Sequence, residues 1–319
     1  MDGFININKP AGWTSHDVVA RLRTLLKIKK IGHTGTLDPQ ATGVLPVCVG
    51  KATKLAEFLS GADKVYTAVL RLGETTDTLD AEGRVLETRP VDGISDERIR
   101  QAAAGFRGEI QQTPPMFSAV KINGQPLYKA ARAGKEVSRP SRTVSIHSLD
   151  LLARDGRDVR FRVACSKGTY IRTLCADIGE RLGVGGHLKE LVREQSGPFF
   201  LKDAQTLEAI EGAVKAGRMP ELLLSPGQIF KEFPGVTVNS GGARLVRNGG
   251  PIRPQAVDEW PKEFRTGQHV LVYTSSGRLI ALAEALVSKK EFSRSGKEED
   301  SLNKVKGRLE VFKVEKVLV

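Results

Sequence analysis

Short strand-like runs and short helical stripes follow one another along this chain without a repeating strand–helix rhythm. That irregularity limits the fold more than any other feature. Tyr66, Ala68, Leu70 and Leu72 alternate with Val65, Thr67, Val69 and Arg71, the period of two that sends successive side chains to opposite faces of a strand. Val144–Leu152 and Val159–Cys165 read as a hairpin across Asp155-Gly156, and Phe4–Asn8 and Val44–Val49 as further strands. Between them lie helices. Thr14 with Asp17 three residues on is a capping-box signature, ahead of Val18, Leu22, Leu25 and Leu26 on one face. Ser95 sits between Ile94 and Ile99 at hydrophobic-staple spacing, at the head of a helix running toward Phe106. Ile171, Leu174, Cys175, Ile178 and Leu182 form another apolar stripe, which stops at Gly183. This order predicts an α+β fold rather than a doubly wound parallel sheet.

Past Pro226 the character changes. Val236–Val238, His269–Tyr273, Leu279–Ala285 and Leu309–Val319 read as strands between Gly-rich turns, a separate and mainly β module. Within it, Ser288–Lys306 is a mixed-charge stretch expected to be a loop. The expected division is residues 1–230 and 231–319.

Charge narrows the function. The chain of 319 residues carries a formal net charge of +12, and both parts are basic when it is cut after Phe230. A basic excess spread over both parts favours a polyanionic partner, because Lys and Arg neutralise phosphates and release counterions. No apolar run is long enough to span a membrane, and Met1-Asp2-Gly3-Phe4 does not open a secretory signal, so a cytoplasmic location is expected. Cys48, Cys165 and Cys175 show no paired spacing, and neither a disulfide framework nor a structural zinc is expected. Gly50-Lys51-Ala52-Thr53 ends like a phosphate loop, but Leu45 stands where its first glycine belongs. The five histidines have no ligand spacing, and no GxGxxG, HExxH or GxSxG occurs. No cofactor and no metal are expected.

Three features remain. The loop Gly32–Gly43 carries Asp38 before a proline, in a backbone whose three glycines permit close approach to a ligand. An Asp-Pro turn joining a helix to a strand accounts for the same residues. Arg172 opens a helix, where a cation opposes the macrodipole, and no acid lies three or four residues away. Such an arginine needs a carboxylate or phosphate from elsewhere, or else is solvated. Residues 114–143 hold Lys121, Lys129, Arg132, Lys135, Arg139 and Arg142 against one acid, Glu136, with Phe117 and Tyr128 interleaved. Aromatics among cations suit single-stranded or loop RNA, and a solvated basic hairpin has the same composition.

Lys9–Ser15, Gly32–Pro46 and Cys165–Arg172 resemble the motifs of bacterial TruB tRNA pseudouridine synthases, and the likeness runs almost continuously from Phe4 to about Phe199. The C-terminal module resembles, more loosely, the family's PUA-type RNA-binding domain. The resemblance implies a mixed, mainly antiparallel pseudouridine synthase core with flanking helices. It also implies conversion of the uridine at position 55, in the T-loop of tRNA, to pseudouridine, without a cofactor. Asp38 matches the catalytic aspartate, which attacks or stabilises C1′ as the base departs. Arg172 matches the arginine that pairs with it and supports its charge. Tyr66 matches the active-site tyrosine, able to stack on the base and a candidate for proton abstraction. Lys9, Tyr170 and Leu191 match substrate-contacting positions, and His33 the histidine that fills the space left by the flipped nucleotide. Residues 114–143 resemble the insertion that closes over the T-arm. The implied partner is tRNA alone, bound by a monomer without an obligatory protein partner. Three other readings compete: a synthase directed by a separate guide RNA, a tRNA-folding chaperone with incidental catalysis, and a carbohydrate hydrolase pairing Asp38 with Asp77 or Asp80.

Overall fold

A computed structural model of the chain describes residues 1–294 and 309–319, apart from positions 119, 123, 133, 135 and 136. From the N-terminus, β1 (Gly3–Lys9) turns into α1 (Ser15–Leu26), followed by β2 (Ile31–His33), β3 (Thr42–Val49), α2 (Ala56–Ser60) and β4 (Lys64–Leu72). Next come the small hairpin β5 (Glu74–Thr76) and β6 (Val85–Thr88), then α3 (Asp96–Ala104) and β7 (Gly108–Gln112). The basic segment holds β8 (Lys121–Ile122), β9 (Gln125–Pro126) and α4 (Leu127–Arg132). The long hairpin β10 (Arg142–Asp155) and β11 (Asp158–Cys165) leads to α5 (Ile171–Arg181), β12 (Gly186–Ser196), β13 (Phe199–Phe200), α6 (Leu207–Lys215) and α7 (Pro226–Ile229). The C-terminal part contains β14 (Gly235–Val238), α8 (Ser240–Arg247), β15 (Val257–Glu259), β16 (His269–Thr274), β17 (Leu279–Ala285), α9 (Lys289–Arg294) and β18 (Phe312–Val317).

Nine strands form one sheet, ordered β1-β3-β12-β4-β11-β10-β7, with β2 beside β3 and β13 beside β12. Every neighbouring pair along that path is antiparallel except β12 with β3. The fold is therefore α+β on a mixed, mainly antiparallel sheet. A second sheet, β15-β14-β16-β17-β18, occupies the C-terminal part. Among the described residues no helix is long and apolar enough to cross a membrane.

The helix ends follow their sequence signals. Thr14 caps α1, and its hydroxyl and the Asp17 carboxylate each accept from the other's backbone N–H. Ser95 caps α3 through the Arg98 N–H. The apolar stripes of α1, α3, α5 and α6 pack on one face of the large sheet. On the other face Phe4, Val44, Cys48, Leu55 and Phe199 meet Phe230, Leu271, Leu282 and Leu318, so one apolar cluster draws on both sides of residue 230.

Among the elements that the sequence reading does not contain, three have a clear physical cause. β12 was not foreseen: bulges between Leu188 and Glu190 and between Arg193 and Gln195 break its period of two, and four charged residues mask its apolar face. α8 was hidden by Gly241 and Gly242 but is capped by Asn239. Within the stretch expected as a loop, Lys289–Arg294 is helical, and 295–306 lie outside the described residues.

Candidate active site

The Asp38 loop is clamped on both flanks. On the near side, the Leu37 N–H donates to Ser15 Oγ (2.9 Å), and the Ser15 hydroxyl donates back to the Leu37 carbonyl (3.2 Å). Arg193, 1% exposed, donates from Nη2 to the Gly35 carbonyl (3.1 Å), from Nη1 to that of Thr36 (3.3 Å) and from Nε to that of Val44 (2.6 Å). On the far side, the fully enclosed Lys9 ammonium donates to the carbonyls of Pro10 (2.9 Å), Trp13 (2.6 Å) and Pro39 (2.8 Å). Burial lowers the Lys9 pKa to about 8, with Asp38 opposing. Lys9, expected to touch substrate, thus has all three protons on backbone carbonyls and fixes the loop instead. Gly43 closes the loop with φ +98°, and a Cβ there would stand 2.3 Å from the Arg193 carbonyl oxygen. Only glycine fits.

Arg172 supplies the carboxylate's neighbour. Its side chain is 5% exposed and Asp38's is 41% exposed; Nε lies 3.1 Å from Asp38 Oδ2, and Nη2 donates to Oδ1 at 3.4 Å. The same guanidinium lies 3.3 Å from Asp80 Oδ2 and donates to the carbonyls of Thr78 (3.2 Å) and Phe117 (2.7 Å). The partner that α5 could not offer therefore comes from two other segments. Burial raises the Asp38 pKa above the ordinary carboxylate value; Arg172 opposes, and Asp80 and Glu82 add to the rise. Asp77 is turned away, its carboxylate accepting the Arg84 N–H (2.9 Å) in the small hairpin.

Asp38 and Arg172 share a cleft of about 410 Å³ with Tyr66, Tyr170, Leu191, Lys64 and Arg193. Register explains the grouping: on β4, Tyr66 lies opposite Arg193 of β12, and Ala68 opposite Leu191. Burial raises the Tyr66 phenol above its ordinary value, with Arg193 opposing, so at neutral pH it is an uncharged ring with a hydroxyl. That works against proton abstraction. Tyr170 precedes α5; Gln112 receives its N–H (2.7 Å) and donates to its carbonyl (3.0 Å), while Arg142 stands over its ring at 4.7 Å.

His33 lies outside the set of residues lining this cleft, edge-on to His16 with ring centroids 5.3 Å apart. Burial lowers its pKa to about 4, and its Nδ1 is buried without a partner. Of the basic segment, Lys121 is on β8, Lys129 is exposed on α4, and Arg132 ends α4. Arg139 donates to the Pro114 carbonyl (3.1 Å), Arg142 reaches the cleft, and Lys135 lies outside the described residues. The segment's base reaches the cleft, through the Phe117 carbonyl on Arg172 and through Ser118 in its wall. Sequence reasoning missed Arg193 and Lys64. The first carried no signal because its strand was not read; the second was visible two residues before Tyr66 on the same strand face. Among the described residues no cluster of three or more His, Cys, Asp or Glu could hold a metal.

Comparisons with known proteins bear on this geometry. A family model described as "TruB family pseudouridylate synthase (N terminal domain)" matches residues 23–171, and one described as "tRNA pseudouridylate synthase B C-terminal domain" matches 172–225. The chain is 49% identical over 260 residues to tRNA pseudouridine synthase B of Geobacillus thermodenitrificans, covering 79% of this chain and 86% of that one. It is 48% identical over 258 residues to the Bacillus anthracis protein of the same name, covering 78% and 83%. Among solved structures it is similar to a chain of a Cbf5-Nop10-Gar1 complex, with TM-score 0.73, 30% identity and coverage of 99% and 85%. A chain of an H/ACA RNP bound to a substrate RNA containing 2′-deoxyuridine gives 0.72, 28%, 99% and 85%.

Proposed function

The chain belongs to the TruB family of pseudouridylate synthases, and on that premise we propose that it isomerises the T-loop uridine at position 55 of tRNA, with Asp38 as nucleophile. The observation that carries this reading is the Asp38 carboxylate, held by backbone clamps on both sides at the edge of a nucleotide-sized cleft, with Arg172 against it. The uridine flips out of the T-loop stack into the cleft, where its ring lies on Tyr66. Asp38 attacks C1′, the C1′–N1 bond breaks and the uracil leaves as an anion. The base turns, C5 bonds to C1′ and displaces the carboxylate, and the C5 proton is then lost to solvent as N1 takes one up, which restores the conjugated ring and leaves a net isomerisation. Asp38 must be charged to attack. Arg172 opposes the rise in pKa that burial imposes, which keeps a usable fraction ionised. His33, neutral at physiological pH, takes up room beside the T-loop rather than contributing charge. The 114–143 segment lies over the T-arm, the C-terminal sheet acts as the PUA-like module, and a monomer works without a protein partner.

The solved relatives in protein and RNA assemblies favour one second reading, a synthase directed by a guide RNA. A single experiment separates the two. Purified protein is mixed with an unmodified tRNA transcript, and pseudouridine is mapped by reverse transcription after carbodiimide treatment. Conversion at the T-loop uridine, absent in Asp38→Asn and in a T-loop U→C transcript, is expected. Binding without conversion would overturn the stand-alone reading.

A further inference from the structure

One wall of the cleft carries a charge that makes no ion pair with any described residue. Lys64 projects from the same face of β4 as Tyr66 and lines the same cleft. It is only 7% exposed. Its ammonium donates to the carbonyls of Ser60 (2.9 Å) and Ala62, which leaves the third N–H without a described acceptor. The adjacent Asp63 carboxylate is solvent-facing and is engaged by His147 Nε2 at 3.1 Å. Burial, and then the like charge of Arg193, lower the Lys64 pKa to about 8; Cys165 and Asp63 oppose, and Lys167 adds to the fall. Arg142 shares the wall, with its Nη2 on the Gly168 carbonyl and its Nε buried without a partner. A buried cation answered only by neutral carbonyls is costly, and an arriving anion relieves that cost. The far side of Asp38 has the opposite character. A hollow of about 520 Å³ there shares Asp38 and Leu191 with the cleft but is lined by Asp80, Glu82 and Glu190 against one cation, Lys189, whose ammonium is already paired with Asp158 at 2.5 Å. An anion is repelled from that side and drawn to the Lys64 wall.

We propose that Lys64, with Arg142 beside it, forms the subsite for a backbone phosphate of the nucleotide whose C1′ meets Asp38. This rests on the pseudouridine reading above. A phosphate oxygen receives the free Lys64 N–H, so the flipped nucleotide is held at its sugar by the Asp38 side and at its phosphate by the β4 side. Neutral groups cannot replace it, because the ammonium would stay buried beside like charges.

The test uses the full-length protein and a T-arm RNA in which a methylphosphonate, uncharged, replaces the phosphate 5′ or 3′ of the target uridine. Dissociation constants and single-turnover rates are measured for the wild type and Lys64→Met. One of the two neutral linkages should weaken wild-type binding about 10- to 100-fold, the worth of a charge-assisted hydrogen bond. Lys64→Met should lose a similar factor on all-phosphate RNA and little more when the linkage is also neutralised. Additive losses, or a wild type indifferent to both linkages, would overturn the proposal. The wild-type comparison decides even if Lys64→Met does not fold. Failure of the wild type to convert the all-phosphate RNA would remove the pseudouridine reading and this proposal with it. Conversion with additive losses removes the proposal alone.

Discussion

Asp38→Asn should abolish turnover while leaving the protein at least as stable as the wild type. Removal of a nucleophile costs a rate factor of about 10,000 or more. Stability is the sharper test. Truncating one partner of a buried ion pair ordinarily costs about 3–5 kcal/mol, because the other charge is stranded. Here it is not stranded. Arg172 keeps Asp80 at 3.3 Å and the carbonyls of Thr78 and Phe117 at 3.2 and 2.7 Å. The Asp38 carboxyl titrates above its unfolded value, because burial outweighs the Arg172 attraction. Ionised Asp38 therefore opposes folding at neutral pH. With 41% of the side chain exposed, solvent screening keeps the effect within about 1 kcal/mol. For a chain of 319 residues that is a rise in Tm of about 1–2 °C. The gain should shrink as pH falls through the folded-state pKa and vanish below about pH 4, where protonated Asp and Asn are near-isosteric. Urea unfolding of both proteins between pH 4 and 8, alongside the transcript assay, reads both quantities. A destabilisation of about 3 kcal/mol or more at pH 7 would refute the reasoning and make Asp38 a structural half of an ion pair.

Other substitutions probe the remaining supports. Arg172→Met should lower kcat about 100- to 1,000-fold with affinity changed only a few-fold, and should move the acid limb of the kcat profile to higher pH, since Arg172 is the strongest influence lowering the Asp38 pKa. A pure binding defect would contradict this. Lys9→Met removes a group whose pKa drops from 10.5 in the unfolded chain to about 8 in the fold. The unfolded state holds the extra proton in that window, so the wild type should gain on the variant by up to about 3 kcal/mol between pH 8 and 10.5. Parallel stability curves would show that the ammonium is not strained. Gly43→Ala forces a Cβ to within 2.3 Å of the Arg193 carbonyl oxygen at positive φ, and chemical denaturation should record a loss of about 2–4 kcal/mol.

What could be read from the sequence was local. α1 and α5 have three-to-four periodicity and punctuated ends, so their cores and starts were visible. β4 alternates cleanly enough to place Tyr66 facing inward. Family motifs pointed to Asp38 and Arg172 as a pair but carried no distances, and Arg172 alone looked like a cation at the wrong end of a helix. What stayed hidden depends on groups that every residue possesses. Lys9 and Arg193 act on backbone carbonyls, up to 158 residues away for Arg193, and a carbonyl leaves no trace in a sequence. β12 was obscured because its two bulges each reset the alternation that would have revealed it. The sharing of Arg172 by Asp38 and Asp80 needed the small hairpin folded against α5, and no periodicity encodes that.

The position of β12 also bears on how the molecule comes together. It separates β3 from β4 in the sheet, yet it is made more than a hundred residues after both. Until residues 186–196 leave the ribosome, the β1–β3–β2 ribbon and the β4–β11–β10–β7 ribbon have no strand between them, and β4 exposes an unpaired edge along its length. Insertion of β12 seals the β4 edge, joins β3 at Thr42 and Gly43, and delivers Leu191 and Arg193 to the cleft in the same event. A nascent chain truncated before residue 186 should therefore be sensitive to proteases and prone to aggregate, and a chain only some fifteen residues longer compact. Catalytic competence is then the last property of the large sheet to appear during synthesis, and it appears in one step.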